Sequence, residues 1–157
     1  MAGEGDPEDK PRRIRVALLA VMLLISLGLL LTRCPANRDG MSGQLAQAME
    51  ESVAAARSGA YALDLRTRDR STPQLVSVQI SDARDEIVKA YKGIADLKAD
   101  DAVDLDRQRM LTEAMTTMIG QLNTASARVR EIATGPELSV LRTQLLQLAD
   151  ALEAGYR

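Results

Sequence analysis

The chain has 157 residues, a formal net charge of −2, one cysteine, and no histidine, tryptophan or phenylalanine. Without histidine there is no imidazole base, no Ser-His-Asp triad and no histidine metal site. A single cysteine excludes a thiolate zinc site and an internal disulfide. The near balance of acidic and basic residues gives no electrostatic reason to bind nucleic acid. The composition therefore argues against an enzyme and predicts no cofactor.

An uncharged apolar run of seventeen residues, Val16 to Thr32, lies between arginine-containing flanks. A bilayer core needs roughly 20 apolar residues in a helix, so this run is at the short end. The long stems of Arg15 and Arg33 extend it, because they can lie along the helix while their guanidinium groups reach the headgroups. The sequence predicts a single transmembrane helix over residues 14–33, with the lipid bilayer as its surroundings.

Two other interpretations of this run remain open. A cleaved secretory signal would need small residues near the cleavage site, where Arg33 and Pro35 stand instead. A lipoprotein signal would modify Cys34, but Arg33 precedes it where a small residue is required. The sequence favours an uncleaved anchor over both.

Basic residues near the ends of a membrane helix stay on the cytoplasmic side. Lys10, Arg12, Arg13 and Arg15 precede the run, which predicts an inner-membrane protein with a disordered cytoplasmic tail (1–13). A linker (34–41) and an extracytoplasmic domain (42–157) would follow outside. Cys34 would then lie at the outer face, where an intermolecular disulfide could join two copies.

Four helices are predicted after the linker. The first begins near Ser42, a potential N-cap, and ends near Asp69. Ser71 or Thr72 would cap the second, with Pro73 at its first position. The other breaks are an aspartate-rich turn after about residue 99, with Asp100, Asp101 and Asp104 as caps, and the pair Gly135-Pro136 before the last helix.

Apolar residues recur every three or four positions in each helix, which is typical of helices that pack at a shallow angle. Short turns between them predict an all-α antiparallel four-helix bundle. Helix 1, rich in alanine, should bury the least and exchange partners most readily. The predicted seams are Leu45, Met49, Val53, Ala56, Ala60 and Leu63; Val76, Ile80, Ala83, Ile87, Ala90, Ile94 and Leu97; Leu111, Met115, Met118, Leu122, Ala125, Val129 and Ile132; and Leu138, Leu141, Leu145, Leu148 and Leu152.

The one cluster that resembles a metal site is acidic: Asp96, Asp100, Asp101, Asp104 and Asp106. It lacks the glycine and the distal glutamate of a calcium-binding EF-hand loop. Helix capping and a solvated acidic corner explain it better.

These observations favour a non-enzymatic interaction or scaffold module, an accessory subunit of a membrane or envelope complex that binds a protein partner or forms a homo-oligomer. The residues predicted to accept a partner helix are Leu45, Met49, Val53, Met115 and Met118. One alternative is a ligand-sensing bundle, similar in layout alone to the periplasmic part of chemoreceptors. Another is an envelope-bridging coiled coil. The composition, rich in alanine, leucine and arginine, is typical of high-GC bacteria.

Overall fold

The computed structural model describes residues 40–132 and 134–156. They form α1 (Met41–Thr67), α2 (Pro73–Ala95), α3 (Ala102–Val129) and α4 (Leu138–Tyr156), with no strand in the described part. The all-helical prediction with four helices is confirmed. The predicted tail (1–13), membrane segment (14–33) and nearly all of the linker (34–41) lie outside the described residues. None of the four described helices is long and apolar enough to cross a membrane.

Contacts between side chains show that neighbouring helices run antiparallel. Arg57, in the middle of α1, pairs with Asp150 near the end of α4 at 2.8 Å, whereas Asp64, further along α1, pairs with Arg142 near the start of α4 at 3.3 Å. The α2–α3 pair shows the same order, because Gln108 Nε2 donates to the Ile94 carbonyl at 2.6 Å.

The four helices are not equivalent in cross-section. α1 contacts each of the other three, whereas no Cα atom of α2 lies within 8 Å of one in α4. α1 and α3 therefore lie closer together across the centre of the bundle than α2 and α4 do. We call the line between α1 and α3 the short diagonal of the bundle. Gly59 lies on this diagonal: a Cβ at that position would be 2.7 Å from Leu122 Cδ2 and 3.5 Å from Ala83 Cβ. The lack of a side chain at Gly59 allows this close approach.

The prediction that helix 1 contributes least to the core is wrong. α1 has ten buried residues, against six in α2, six in α3 and four in α4. Small side chains allow helix axes to approach closely, so a helix of alanine, serine and glycine can face several neighbours at once. The buried residues of α1 outside the predicted seam are Ala48, Ser52, Ala55, Gly59 and Ala62.

The seams of α2 and α3 are confirmed almost throughout. Their buried residues are Val76, Ile80, Ala83, Ile87, Ala90 and Ile94 in α2, and Leu111, Met115, Met118, Leu122, Ala125 and Val129 in α3. The last predicted member of each lies past the end of its helix: Leu97 is half-buried and Ile132 is 74% exposed. In α4, Ala149 is buried and Leu148 only half-buried.

Two predicted helix caps are confirmed. The Leu75 N–H donates to Thr72 Oγ1 at 3.3 Å, with Pro73 as the first residue of α2. The Asp104 N–H donates to Asp101 Oδ1 at 2.7 Å at the start of α3. Ser42 does not cap α1, since that helix begins one residue earlier.

The C-terminal ends of α1 and α3 have the same turn. Asp69 and Glu131 follow these helices with φ of 53° and 58°, the left-handed conformation. The next residue then bonds back into the helix: the Arg70 N–H donates to the Leu65 carbonyl at 2.8 Å, and the Ile132 N–H donates to the Ala127 carbonyl at 3.0 Å. These are Schellman turns with an acidic residue where glycine is usual.

These turns explain why α1 stops before Asp69, its predicted end, and why α3 stops before the predicted break at Gly135-Pro136. Each turn completes an Arg-x-Arg-acidic sequence, Arg66 to Asp69 in one case and Arg128 to Glu131 in the other. The bundle is therefore two helical hairpins joined by residues 96–101, with like turns at the same end.

Candidate interaction surface

The structure places four of the five predicted partner-binding residues in the core. Leu45, Met115 and Met118 are fully buried and Val53 is 5% exposed. Met49 is partly buried against the same core. A partner helix could reach these side chains only by displacing one of the four helices, because each packs within its own chain. Cys34 lies outside the described residues.

The acidic corner between α2 and α3 is built from caps and local ion pairs. Asp101 caps α3, Asp104 lies 3.5 Å from Arg107, and Asp106 lies 3.3 Å from Arg109. Among the residues that the structure describes, no group of three or more aspartate, glutamate, cysteine or histidine side chains could hold a metal ion.

The α1–α4 side of the bundle is closed by charged side chains. Arg57 Nη2 lies 2.8 Å from Asp150 Oδ1 and 2.7 Å from Glu153 Oε2. The hydrogen bonds with Asp150 and then with Glu153 are the main causes that raise the pKa of the Arg57 guanidinium. Because these groups are exposed, they fix the register of two helices more than they stabilise the fold.

The α1–α2 side is open instead. We call its depression the α1/α2 groove. It runs from Gln44 beside Ile94 to Ser58 beside Gln79. Its small lining residues are Ala48, Ala54, Ala55, Ala83, Ala90 and Gly93. Small side chains leave the space between the two helix surfaces unfilled, so a shallow channel follows the helix axes.

Exposed apolar side chains extend one end of the α1/α2 groove. Tyr61 follows Ser58 by three residues, and Leu75 precedes Gln79 by four, so helical spacing places both beside groove-lining residues. Val78 precedes Asp82 by four. Tyr61 is 62% exposed, Leu75 53% and Val78 55%. Three of the seven large apolar residues exposed in the described part thus adjoin this groove.

The middle of the α1/α2 groove is acidic. Glu51 lines it from α1, and Asp82 and Glu86 line it from α2. Glu86 has Lys89 at 4.0 Å and Glu51 accepts a hydrogen bond from Gln47 at 2.8 Å, whereas Asp82 makes no ion pair with another described residue. The side-chain oxygen of Gln79 is buried and has no hydrogen-bond partner in the described structure. The groove therefore presents three carboxylates and one lysine to solvent.

Sequence reasoning missed this surface. It predicted one apolar seam per helix, and the groove arises from a second face on α1. The available signal was a second set of small residues on α1: Ala48 and Ala55 line the groove, and Ser52 and Gly59 are buried at the positions between and after them.

No protein-family model, curated protein or solved structure matches this chain.

Proposed function

We propose that the chain is a membrane-anchored, non-enzymatic helical interaction module, an accessory subunit of a membrane or cell-envelope complex. In this proposal Val16 to Thr32 spans the inner membrane with the N-terminus inside, and the bundle lies outside the cytoplasm. The module performs no chemical step. It holds another protein at the membrane.

The observation that carries the proposal is the contrast between a filled core and the open α1/α2 groove. The apolar seams of all four helices are buried against one another within one chain, so the bundle needs no second chain to complete its core. Beside one end of the groove, Tyr61, Leu75 and Val78 are nevertheless more than half exposed. Exposed apolar residues around a depression are typical of protein-binding surfaces.

Several charged residues of the bundle have structural roles in ion pairs and helix caps. Arg57 joins α1 to α4, Asp101 begins α3, and Asp64 bridges to Arg142. These side chains hold helices in place, which favours a scaffold over a catalyst.

Crosslinking mass spectrometry on native membranes tests the interaction. The full chain carries a C-terminal tag, and crosslinks are mapped to residues on both partners. We expect reproducible crosslinks from α1 or α2 to another membrane or envelope protein. Crosslinks only within the chain or between its copies would contradict a heteromeric scaffold and favour self-assembly.

Protease protection of sealed spheroplasts tests the anchor and its orientation. We expect the C-terminal tag to be digested from outside, and the remaining fragment to resist alkaline extraction from the membrane. A tag that stays protected, or a chain that alkali releases, would contradict this part of the proposal.

A further inference from the structure

We infer that the occupant of the α1/α2 groove is a basic amphipathic helix from a partner protein. This inference rests on the proposed interaction function and names the chemistry of the partner.

The groove has the shape of a helix-binding site. It follows α1 from Gln44 to Ser58, which is about 21 Å at the rise of an α-helix. A partner helix of about four turns matches this length. The floor of Ala55 and Ala83 lets a third helix approach closely, since interaxial distance falls with side-chain size.

The apolar end supplies anchor points. Tyr61, Leu75 and Val78 are more than half exposed and belong to two facing helices. A helix that presents apolar residues at i, i+3 or i+4, and i+7 could cover them while its other face remains in solvent. Burial of a tyrosine of this kind is the usual source of a binding hot spot.

The charge of the groove selects the partner. Glu51, Asp82 and Glu86 line it with one lysine, Lys89, so three carboxylates stand against one ammonium group. Lysine or arginine side chains of a partner could pair with these carboxylates. Electrostatic complementarity of this kind gives specificity and a fast association rate.

The same charge opposes other occupants. A second copy docked through the same face would place its own acidic residues against these. An anionic lipid surface would be repelled. A basic helix is the occupant that satisfies both the apolar and the acidic part of the groove.

Site-specific photocrosslinking in native membranes tests the contact. A benzoylphenylalanine replaces Ser58 in the groove of the full-length chain, and a matched variant carries it at Thr116, an exposed position on α3. We expect Ser58 alone to crosslink, to a segment with a helical apolar period and a positive charge. Crosslinks to a second copy, or to an acidic or uncharged segment, would overturn the inference.

Charge reversal tests the electrostatic step with a defined probe. The probe is a 21-residue amphipathic Leu/Lys peptide, and the full chain is held in zwitterionic phosphatidylcholine nanodiscs. Asp82→Lys/Glu86→Lys should weaken binding by roughly tenfold or more, because interfacial charge pairs are lost and repulsion replaces them. The control Asp106→Lys/Glu113→Lys, with two reversals on an exposed face of α3, should bind within about twofold of the parent.

Far-UV circular dichroism confirms that both double variants fold. Equal affinity of the two variants for the probe would overturn the inference. Photocrosslinks to another protein from Thr116 alone would overturn the inference and leave the interaction function standing. Loss of crosslinks from both positions, with probe binding unaffected by charge, would overturn both.

Discussion

Gly59 on α1 lies against Leu122 on α3 with no room for a side chain: a Cβ on Gly59 would be 2.7 Å from Leu122 Cδ2. Leu122 is fully buried, so its side chain has little freedom to move away. This pair fixes the short diagonal that sets the position of α1 against the other helices.

Gly59→Ala should destabilise the bundle despite the higher helix propensity of alanine. Overpacking costs about 1–3 kcal/mol, whereas the propensity gain is about 1 kcal/mol. Urea unfolding of the full chain in detergent measures the difference. Gly120→Ala is the control, since nothing lies within 4 Å of a Cβ there, and it should be neutral or stabilising.

The cause of that loss can be isolated in a Leu122→Ala background. Removal of the Leu122 side chain makes room, so Gly59→Ala should then no longer destabilise. If the substitution costs the same in both backgrounds, steric conflict with Leu122 is not the reason.

Glu131→Gly should stabilise the chain. Glu131 has a φ of 58°, which costs a residue with a Cβ about 1 kcal/mol and costs glycine almost nothing. The same substitution at Glu113, inside α3, should instead destabilise by about 1 kcal/mol. Thermal unfolding of the two variants beside the parent gives the comparison; a lower midpoint for Glu131→Gly would contradict the strained turn.

Asp101→Ala should lower stability by about 1 kcal/mol, because the Asp104 N–H loses its side-chain acceptor at the start of α3. Asp101→Ser should restore most of the loss, since serine is also a good N-cap. Asp100→Ala, one residue earlier, should change stability by less than about 0.5 kcal/mol. Urea midpoints distinguish capping from a general effect of charge.

Met118→Ala should destabilise the bundle. Its side chain is fully buried, so truncation leaves a cavity and costs about 2–5 kcal/mol. Met118→Leu, of similar volume, should cost less than about 1.5 kcal/mol. Unfolding and native-membrane crosslinking are measured together. If Met118→Leu loses a partner without losing stability, this residue contacts the partner after all.

Tyr61→Ala should reduce partner binding and leave the stability of the bundle nearly unchanged. Its ring is 62% exposed, so the free energy of unfolding should change little. Partner crosslinking should fall about fivefold or more if Tyr61 anchors a docked helix. Val103→Ala, at 58% exposure on α3 and outside the groove, should leave crosslinking unchanged. A similar loss from both variants would point to a general effect of surface hydrophobicity.

The apolar period of α2 and α3 predicted the core because each of these helices buries mainly one stripe. Their buried residues, from Val76 to Ile94 and from Leu111 to Val129, recur every three or four positions, which is the spacing of a single apolar stripe on a helix. Thr72 and Asp101 could be predicted as caps because capping depends on local sequence.

The second face of α1 could not be predicted in the same way. Alanine and serine are compatible with both core and surface, so Ala48, Ser52 and Ala55 carry no strong hydrophobic signal. Their burial depends on the short diagonal, which is a property of all four helices together. The partner-binding prediction followed the large apolar residues of the core and for that reason passed over the groove.

An even number of antiparallel helices returns the chain to where the bundle began: the Tyr156 hydroxyl donates to the Ser42 carbonyl at 3.3 Å. The order of the helices along the chain could therefore be changed without a change in how they pack. A circular permutant of the bundle, opened at Gly135 and rejoined between Tyr156 and Met41 by a short glycine linker, keeps every helix beside its present neighbours. In this permutant α4 would precede α1 along the chain and keep its place in space.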